Sequence, residues 1–265
     1  MSVRARHVVL ASLLLVAPLA GQDTTRAAVA EAAVPFGVGE RLTYDVRFGR
    51  IHVGNGSMEV AGIENVRGRA AWHTVFRVHG GIPFYRVNDR YESWLDTHTI
   101  SSLRYVQQID EGSYERERRF EIYPDRRIYV EDQNEPEPSV AHPLDDGSFI
   151  YFLRTIPLRI GLDTSLNNYF RADRNPVRIR VLRRERISVP AGTFDAVVVQ
   201  PIISTKGIFS EGGRAEVWLS DDSRRIMLQM KSKLSFGSLN LYLKSYRPGP
   251  TAPGAKTPDS TRPAP

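Results

Sequence analysis

Three groups of residues have types and spacings that suit chemistry. The stretch "VWLSDDSRRIMLQM", Val217 to Met230, sets Asp221 and Asp222 immediately before Ser223, Arg224 and Arg225. Paired carboxylates suit a divalent cation or proton transfer. Consecutive positions in a strand connection point in different directions, however, and glycoside hydrolysis needs carboxyl groups roughly 5–10 Å apart across a sugar. Asp and Ser also bond nearby backbone N–H groups in turns. Val217 and Leu219 alternate with Trp218 and Ser220 on one side, and Ile226, Leu228 and Met230 with Met227 and Gln229 on the other. The stretch therefore reads as a hairpin turn between two strands.

The second group is the carboxylates and histidines elsewhere. Glu40, Asp89, Glu92, Asp145 and Asp146 are the acids that a hydrolase acting on glycan would have to bring together. Beyond the first 20 residues the histidines are His52, His73, His79, His98 and His142, and none lies in an H-E-x-x-H or other zinc spacing. His73 and His79 are six apart, too far for shared ligation on one strand. The chain has no cysteine, which removes thiolate metal sites and cysteine nucleophiles. It has no G-x-S-x-G elbow, no Walker loop and no dinucleotide glycine fingerprint. The sequence assigns no catalytic residue, no metal and no cofactor.

The third group is aromatic. "GGIPFYRVNDRYESWLD", Gly80 to Asp96, sets Phe84, Tyr85, Tyr91 and Trp94 among Arg86, Asp89, Arg90 and Glu92. Aromatic faces beside fixed polar groups suit recognition of a sugar, a lipid head group or a peptide, and they equally suit a strand with a core face and an ion-paired face. With Trp72, Phe76, Phe149, Phe152 and Trp218, the residues Phe84, Tyr91 and Trp94 make up the candidate lining of an apolar ligand site.

The elements that must position these groups are strands. "RLTYDVRF" puts Leu42, Tyr44, Val46 and Phe48 on one face, and "AWHTVFRVH" does the same for Trp72, Thr74, Phe76 and Val78. Similar runs recur every 8 to 15 residues or so to Tyr246, separated by Gly, Asp, Asn and Pro. "HPLDDGSFIYFLRTIPL" breaks the period and predicts one short helix near residues 145–156, capped by Asp145, Asp146 or Ser148 and ended at Pro157. The expected fold is all-β: a large, curved antiparallel sheet, barrel-like or sandwich, with that helix packed on or plugging it.

The ends differ from this body. Arg4 and Arg6 precede an apolar run, Val8 to Ala17, too short for the roughly 20 residues of a bilayer span and suited to a secretory signal. Residues 1–20 are the expected signal peptide, 21–35 a linker, 36–246 a single antiparallel domain, and the proline-rich 247–265 a disordered tail. A periplasmic or secreted location follows, with no transmembrane segment. Net charge is +6, falling to +4 without Arg4 and Arg6. The basic residues are interspersed with acids along the strands, which is unlike a phosphate-tracking stripe and argues against nucleic acid.

Five blocks carry a family resemblance. They are "FGVGERLTYDVRFGRIHVGNGSMEV", "YRVNDRYESWLD", "VPAGTFDAVVVQP", "EVWLSDDSRRIMLQM" and "GSLNLYLKSY". In order and spacing they resemble the bacterial domain-of-unknown-function family 3108, with Gly37, Gly39, Glu40, Tyr44, Asp89, Gly192, Trp218 and Asp222 at matching positions. The resemblance implies an exported envelope protein with a mostly antiparallel, strongly curved sheet, and it transfers no catalytic residue. The favoured reading is a non-catalytic binding module for a lipid, acyl chain or other apolar ligand. The alternatives are a structural or protein-interaction component of the envelope and, third, a glycan hydrolase.

Overall fold

The computed structural model describes residues 34–82, 85–203, 215–234 and 237–250, all within the compact unit Glu31–Pro265. The expected signal peptide, most of the expected linker, most of the expected tail and Phe84 lie outside the described residues.

Fourteen strands and one α-helix follow in chain order: β1 (Arg41–Phe48), β2 (Ile51–Val66), β3 (Arg69–Ile82), β4 (Tyr85–Asp96), β5 (Ser102–Glu111), β6 (Tyr114–Tyr123), β7 (Ile128–Glu131), β8 (Glu137–Pro138), α1 (Asp146–Thr155), β9 (Asp163–Leu166), β10 (Val177–Val189), β11 (Gly192–Ile202), β12 (Glu216–Ser220), β13 (Met227–Leu234) and β14 (Gly237–Arg247). They form one sheet in the order β8-β7-β6-β5-β4-β3-β2-β1-β14-β13-β12-β11-β10-β9, with every neighbouring pair antiparallel. Two meanders thus meet where β1 pairs with β14, and β8 and β9 are left as the two edges of an unclosed, barrel-like sheet.

Bulges bend it. The register shifts at Thr43/Tyr44, Val46/Arg47, Val60/Gly62, Trp94/Leu95, Val181/Arg183 and Trp218/Leu219, and each extra residue increases local twist and curvature. Gly54 and Gly80 face each other across β2 and β3. A Cβ on Gly54 would lie 2.2 Å from the His79 carbonyl oxygen and one on Gly80 2.1 Å from that of Val53, so only glycine permits this approach.

The segment joining the two edges turns inward. Leu144 N donates to Asn168 O at 2.6 Å and Phe170 N to Leu144 O at 2.9 Å, forming a short parallel bridge near the seam. Directly after it, Asp145 caps α1. Its Oδ1 accepts from Gly147 N at 2.9 Å and Ser148 N at 2.8 Å, while Asp145 N donates to Ser148 Oγ at 2.8 Å, so the capping box is complete. The helix ends at Thr155, with Ile156 extended ahead of Pro157, where proline disfavours a helical predecessor.

At the other end of α1, Arg154 donates to Glu40 at 2.6 and 2.9 Å, to Pro35 O at 2.9 Å and to Arg224 O at 3.0 Å. Both charged side chains are only 1% exposed. Pro35, placed by the sequence at the end of a linker, is thereby tied into the fold, and Val34 packs against the core. Arg247, taken as the first tail residue, is the last residue of β14, paired with Arg41.

The opening "SDDSRR" stretch connects β12 to β13 as a turn. Asp222 Oδ1 accepts from Ser220 Oγ at 2.7 Å, Arg224 N at 3.0 Å and Arg225 N at 3.2 Å, Arg225 takes φ 46°, and Asp221 pairs with Arg184 at 2.6 Å. Both carboxylates are consumed in holding the turn and its flank. Among the described residues no group of three or more His, Asp and Glu is arranged to hold a metal ion.

Candidate functional site

Inside the curved sheet, on one side of α1, lies a cavity of about 620 Å³, within the roughly 300–1,000 Å³ of small-ligand pockets. Its walls repeat with period two. Thr74, Phe76 and Val78 come from β3, Val87, Asp89, Tyr91 and Ser93 from β4, Tyr105, Gln107 and Ile109 from β5, and Arg118 and Phe120 from β6. Val46 and Phe48 of β1, Met58 of β2, and Met227 and Met230 of β13 continue the wall. Asp146, Gly147, Ile150 and Tyr151 of α1 border it, at the helical spacing that puts one face toward the void. Gly147 is required here because a Cβ would lie 2.5 Å from Ser93 Oγ.

Polar groups line the cavity along the strands, at His79, Asp89, Gln107 and Glu111, and a further group lies where α1 begins. Ser93 Oγ donates to Asp145 Oδ1 at 2.6 Å, and Ser102 Oγ donates to Ser148 Oγ at 2.9 Å. Asp145 Oδ2 is buried without a partner. Burial pushes the Asp145 carboxyl up to about 6, against the lowering effect of the hydrogen bonds from Ser93 and Ser148. Asp146, on the cavity border, accepts from Tyr105 Oη and Tyr169 Oη, each at 3.2 Å, and burial raises it too. Burial, followed by the nearby carboxylates, holds the phenols of Tyr105 and Tyr169 well above their ordinary value, so both stay hydrogen-bond donors. Arg118, Arg171 and Arg174 complete this end; Arg118 is tied to Glu131 at 2.7 Å.

Of the residues put forward from sequence, Phe76 and Tyr91 line the cavity, their rings 6.1 Å apart. Phe84 is outside the described residues, and the others lie elsewhere. Trp72 is on the packed side of α1, edge-on to Phe36 at 5.7 Å, and Phe36 meets Tyr151 at 5.0 Å. Phe149 is fully buried in the core, with Phe152 beside it at 6.3 Å. Trp94 is on the opposite face of the sheet, stacked on His73 at 4.4 Å and donating to Glu64 at 2.7 Å. Trp218 donates to Glu185 at 2.5 Å beneath the charged ends of Arg183 and Lys231. The strand parity already contained this: Trp94 shares a face with Glu92 and Arg90, opposite Tyr91 and Ser93.

The five acids do not form a catalytic pair. Glu40 is bound by Arg154, Asp89 accepts from Asp110 N at 3.0 Å and Tyr91 Oη at 3.2 Å, and Glu92 sits between His73 and Arg90 at 2.8 Å from each. Asp145 is the helix cap; Asp89 and Asp146 both line the cavity, Asp146 with side-chain partners that are phenols. Sequence reasoning missed Arg118, Arg171, Arg174, Tyr105 and Tyr169. Arg118 was detectable as the cation on the inward parity of Phe120 and Ile122. The other arginines sit in the irregular stretch after β9, where no period exists to read.

The geometry thus defines a barrel-like antiparallel β-protein with an internal cavity and a helix across its interior. The chain belongs to the family described as protein of unknown function (DUF3108), which matches residues 43–244. Among solved structures it is similar to the beta-barrel-like protein of domain of unknown function DUF1849 from Brucella abortus. That likeness has 12% identity and a TM-score of 0.57, over 82% of this chain and 100% of that one. Weaker likenesses, each with a TM-score of 0.31, join it to a candidate lipoprotein from Parabacteroides distasonis (11% identity, 81% of this chain, 98% of that one) and a candidate exported protein with a YmcC-like fold from Bacteroides fragilis (10% identity, 82% and 100%). No curated protein matches the chain in sequence.

Proposed function

We propose that the protein is a non-catalytic binding module for an apolar ligand, a lipid or acyl chain, acting in the bacterial envelope after export. The observation that carries the reading is the cavity: about 620 Å³ lined mainly by Val, Ile, Met, Phe and Tyr side chains, with one group of polar residues at the start of α1. Removing an acyl chain from water contributes about 0.8 kcal/mol per buried CH₂, and a preformed void avoids the cost of opening one. The candidate acids on the wall already have protein partners, Asp89 in Tyr91 and Asp146 in Tyr105 and Tyr169, which favours binding over hydrolysis. Export rests on the Arg4, Arg6 and Val8–Ala17 pattern.

The test is a cavity-filling variant. Val87 lies on the cavity wall, so Val87→Trp would occupy the volume. The wild type is expected to enhance the fluorescence of Nile red, a neutral polarity-sensitive dye, and Val87→Trp to lose that enhancement with an unchanged circular dichroism spectrum. No enhancement by the wild type, or equal enhancement by a folded variant, would count against the reading.

A further inference from the structure

The polar end of the cavity has more cation than its own acids occupy. Arg171 and Arg174 flank a short 3-10 turn, Ala172–Arg174, and both border the cavity. Among the described residues neither guanidinium makes an ion pair with a carboxylate. The Arg171 Nε is buried without a hydrogen-bond partner, and its guanidinium lies 5.7 Å from the centre of the Tyr129 ring, which orients it from below. Several other arginines are paired with carboxylates: Arg178 and Arg180 share Asp163, Arg183 spans Glu185 and Glu216, and Arg154 binds Glu40, although its Nε too is buried without a partner. Asp173 lies within the turn itself and is exposed, and Asp146, on the cavity border, is already held by Tyr105 and Tyr169. A half-buried guanidinium left with unused donors beside an apolar void is a site for an anion attached to an apolar body.

Resting on the binding-module reading, we propose that the ligand is a single-chain amphiphile with an anionic head group, its chain in the void and its carboxylate or phosphate held by Arg171 and Arg174. The fork geometry of a guanidinium matches both oxyanions. An alcohol of equal chain length gains the apolar contacts but not the charge-assisted hydrogen bonds.

The experiment displaces Nile red from the full chain with tetradecanoate, tetradecyl phosphate and tetradecanol. It uses the wild type and an Arg171→Gln/Arg174→Gln variant, both arginines being partly exposed and outside the strands. At least one anion is expected to bind roughly tenfold or more tightly than the alcohol, the factor expected of charge-assisted hydrogen bonds. The variant should erase that preference and leave the alcohol unchanged. Whichever anion binds more tightly to the wild type identifies the head group as carboxylate or phosphate. Equal binding of anions and alcohol by the wild type, or a preference that survives in the variant, overturns the head-group assignment while the binding-module reading stands. Failure of all three to displace the dye overturns both.

Discussion

The two sides of α1 face the same sheet with the same alternation of inward residues, yet one is filled and the other is hollow. On the filled side Trp72 meets Phe36 edge to face, Phe36 packs in turn on Tyr151 of the cavity border, and the Arg154–Glu40 pair closes the end. On the hollow side the cavity wall includes Thr74 and Val87, too small to fill it. Voids forfeit dispersion contacts. At about 24 cal/mol per Å³ of residual cavity, filling even a tenth of this volume would contribute on the order of 1 kcal/mol. Larger side chains at Thr74 or Val87 would supply that. Small residues at these positions fit a space held for a ligand, and stability gives way to function in the same manner at many binding sites.

If the contrast is real, substitutions on the filled side cost more than those on the hollow side. Arg154→Ala should be the most damaging, since it strands Glu40 as a buried charge; a loss of about 3–5 kcal/mol is expected in urea unfolding. Replacing both partners by apolar residues of similar volume, Glu40→Leu with Arg154→Met, should recover much of it. Phe149→Ala, on the filled side, should cost about 3–4 kcal/mol by the same assay. Gly147→Ala, at the boundary, forces Ser93 to rotate away from Asp145 and should cost about 1–2 kcal/mol. Phe76→Ala, on the hollow side, should cost only about 1 kcal/mol because its ring already borders a void, while weakening dye binding. A Phe76→Ala loss as large as that of Phe149→Ala would dissolve the distinction.

Asp145 sharpens the contrast through pH. Its folded carboxyl is raised from the ordinary 3.8 to about 6 by burial. Between those values the folded chain holds a proton that the unfolded chain releases. The contribution therefore favours folding most below about pH 3.8 and is lost as pH rises through 6. Asp145→Asn keeps an N-cap acceptor and removes the titration. The stability difference between wild type and Asp145→Asn should fall as pH rises across this window and be flat above it. A difference that rises would contradict the burial of the carboxyl.

Strand alternation made most of the sheet legible in the sequence, and the break in period at Leu144–Pro157 marked the helix together with its cap. The hairpin at Asp221–Asp222 was legible for the same reason: turn chemistry is local. The cavity was not. Trp72 and Phe76 are four residues apart on one face of β3, and nothing local says that α1 crosses between them, so one is core and the other is wall. Trp94 and Trp218 mislead for a different reason. Aromatic bulk suggests the cavity face, but Trp94 packs in a small separate cluster with Val66, Ala71, Leu103 and Val106, and Trp218 is part of the main core with its indole N–H on Glu185. The arginines of the polar end lie in an irregular segment whose position is set by the Leu144–Tyr169 bridge, a contact between chain regions that no short-range pattern predicts.

The central claim is that the hollow side of α1 holds an apolar ligand, and native mass spectrometry of the protein purified from a bacterial periplasm without detergent tests it most directly. The account predicts added mass that disappears on organic extraction and returns when the stripped protein is incubated with an acyl amphiphile. A bare chain mass both before extraction and after that incubation would contradict it.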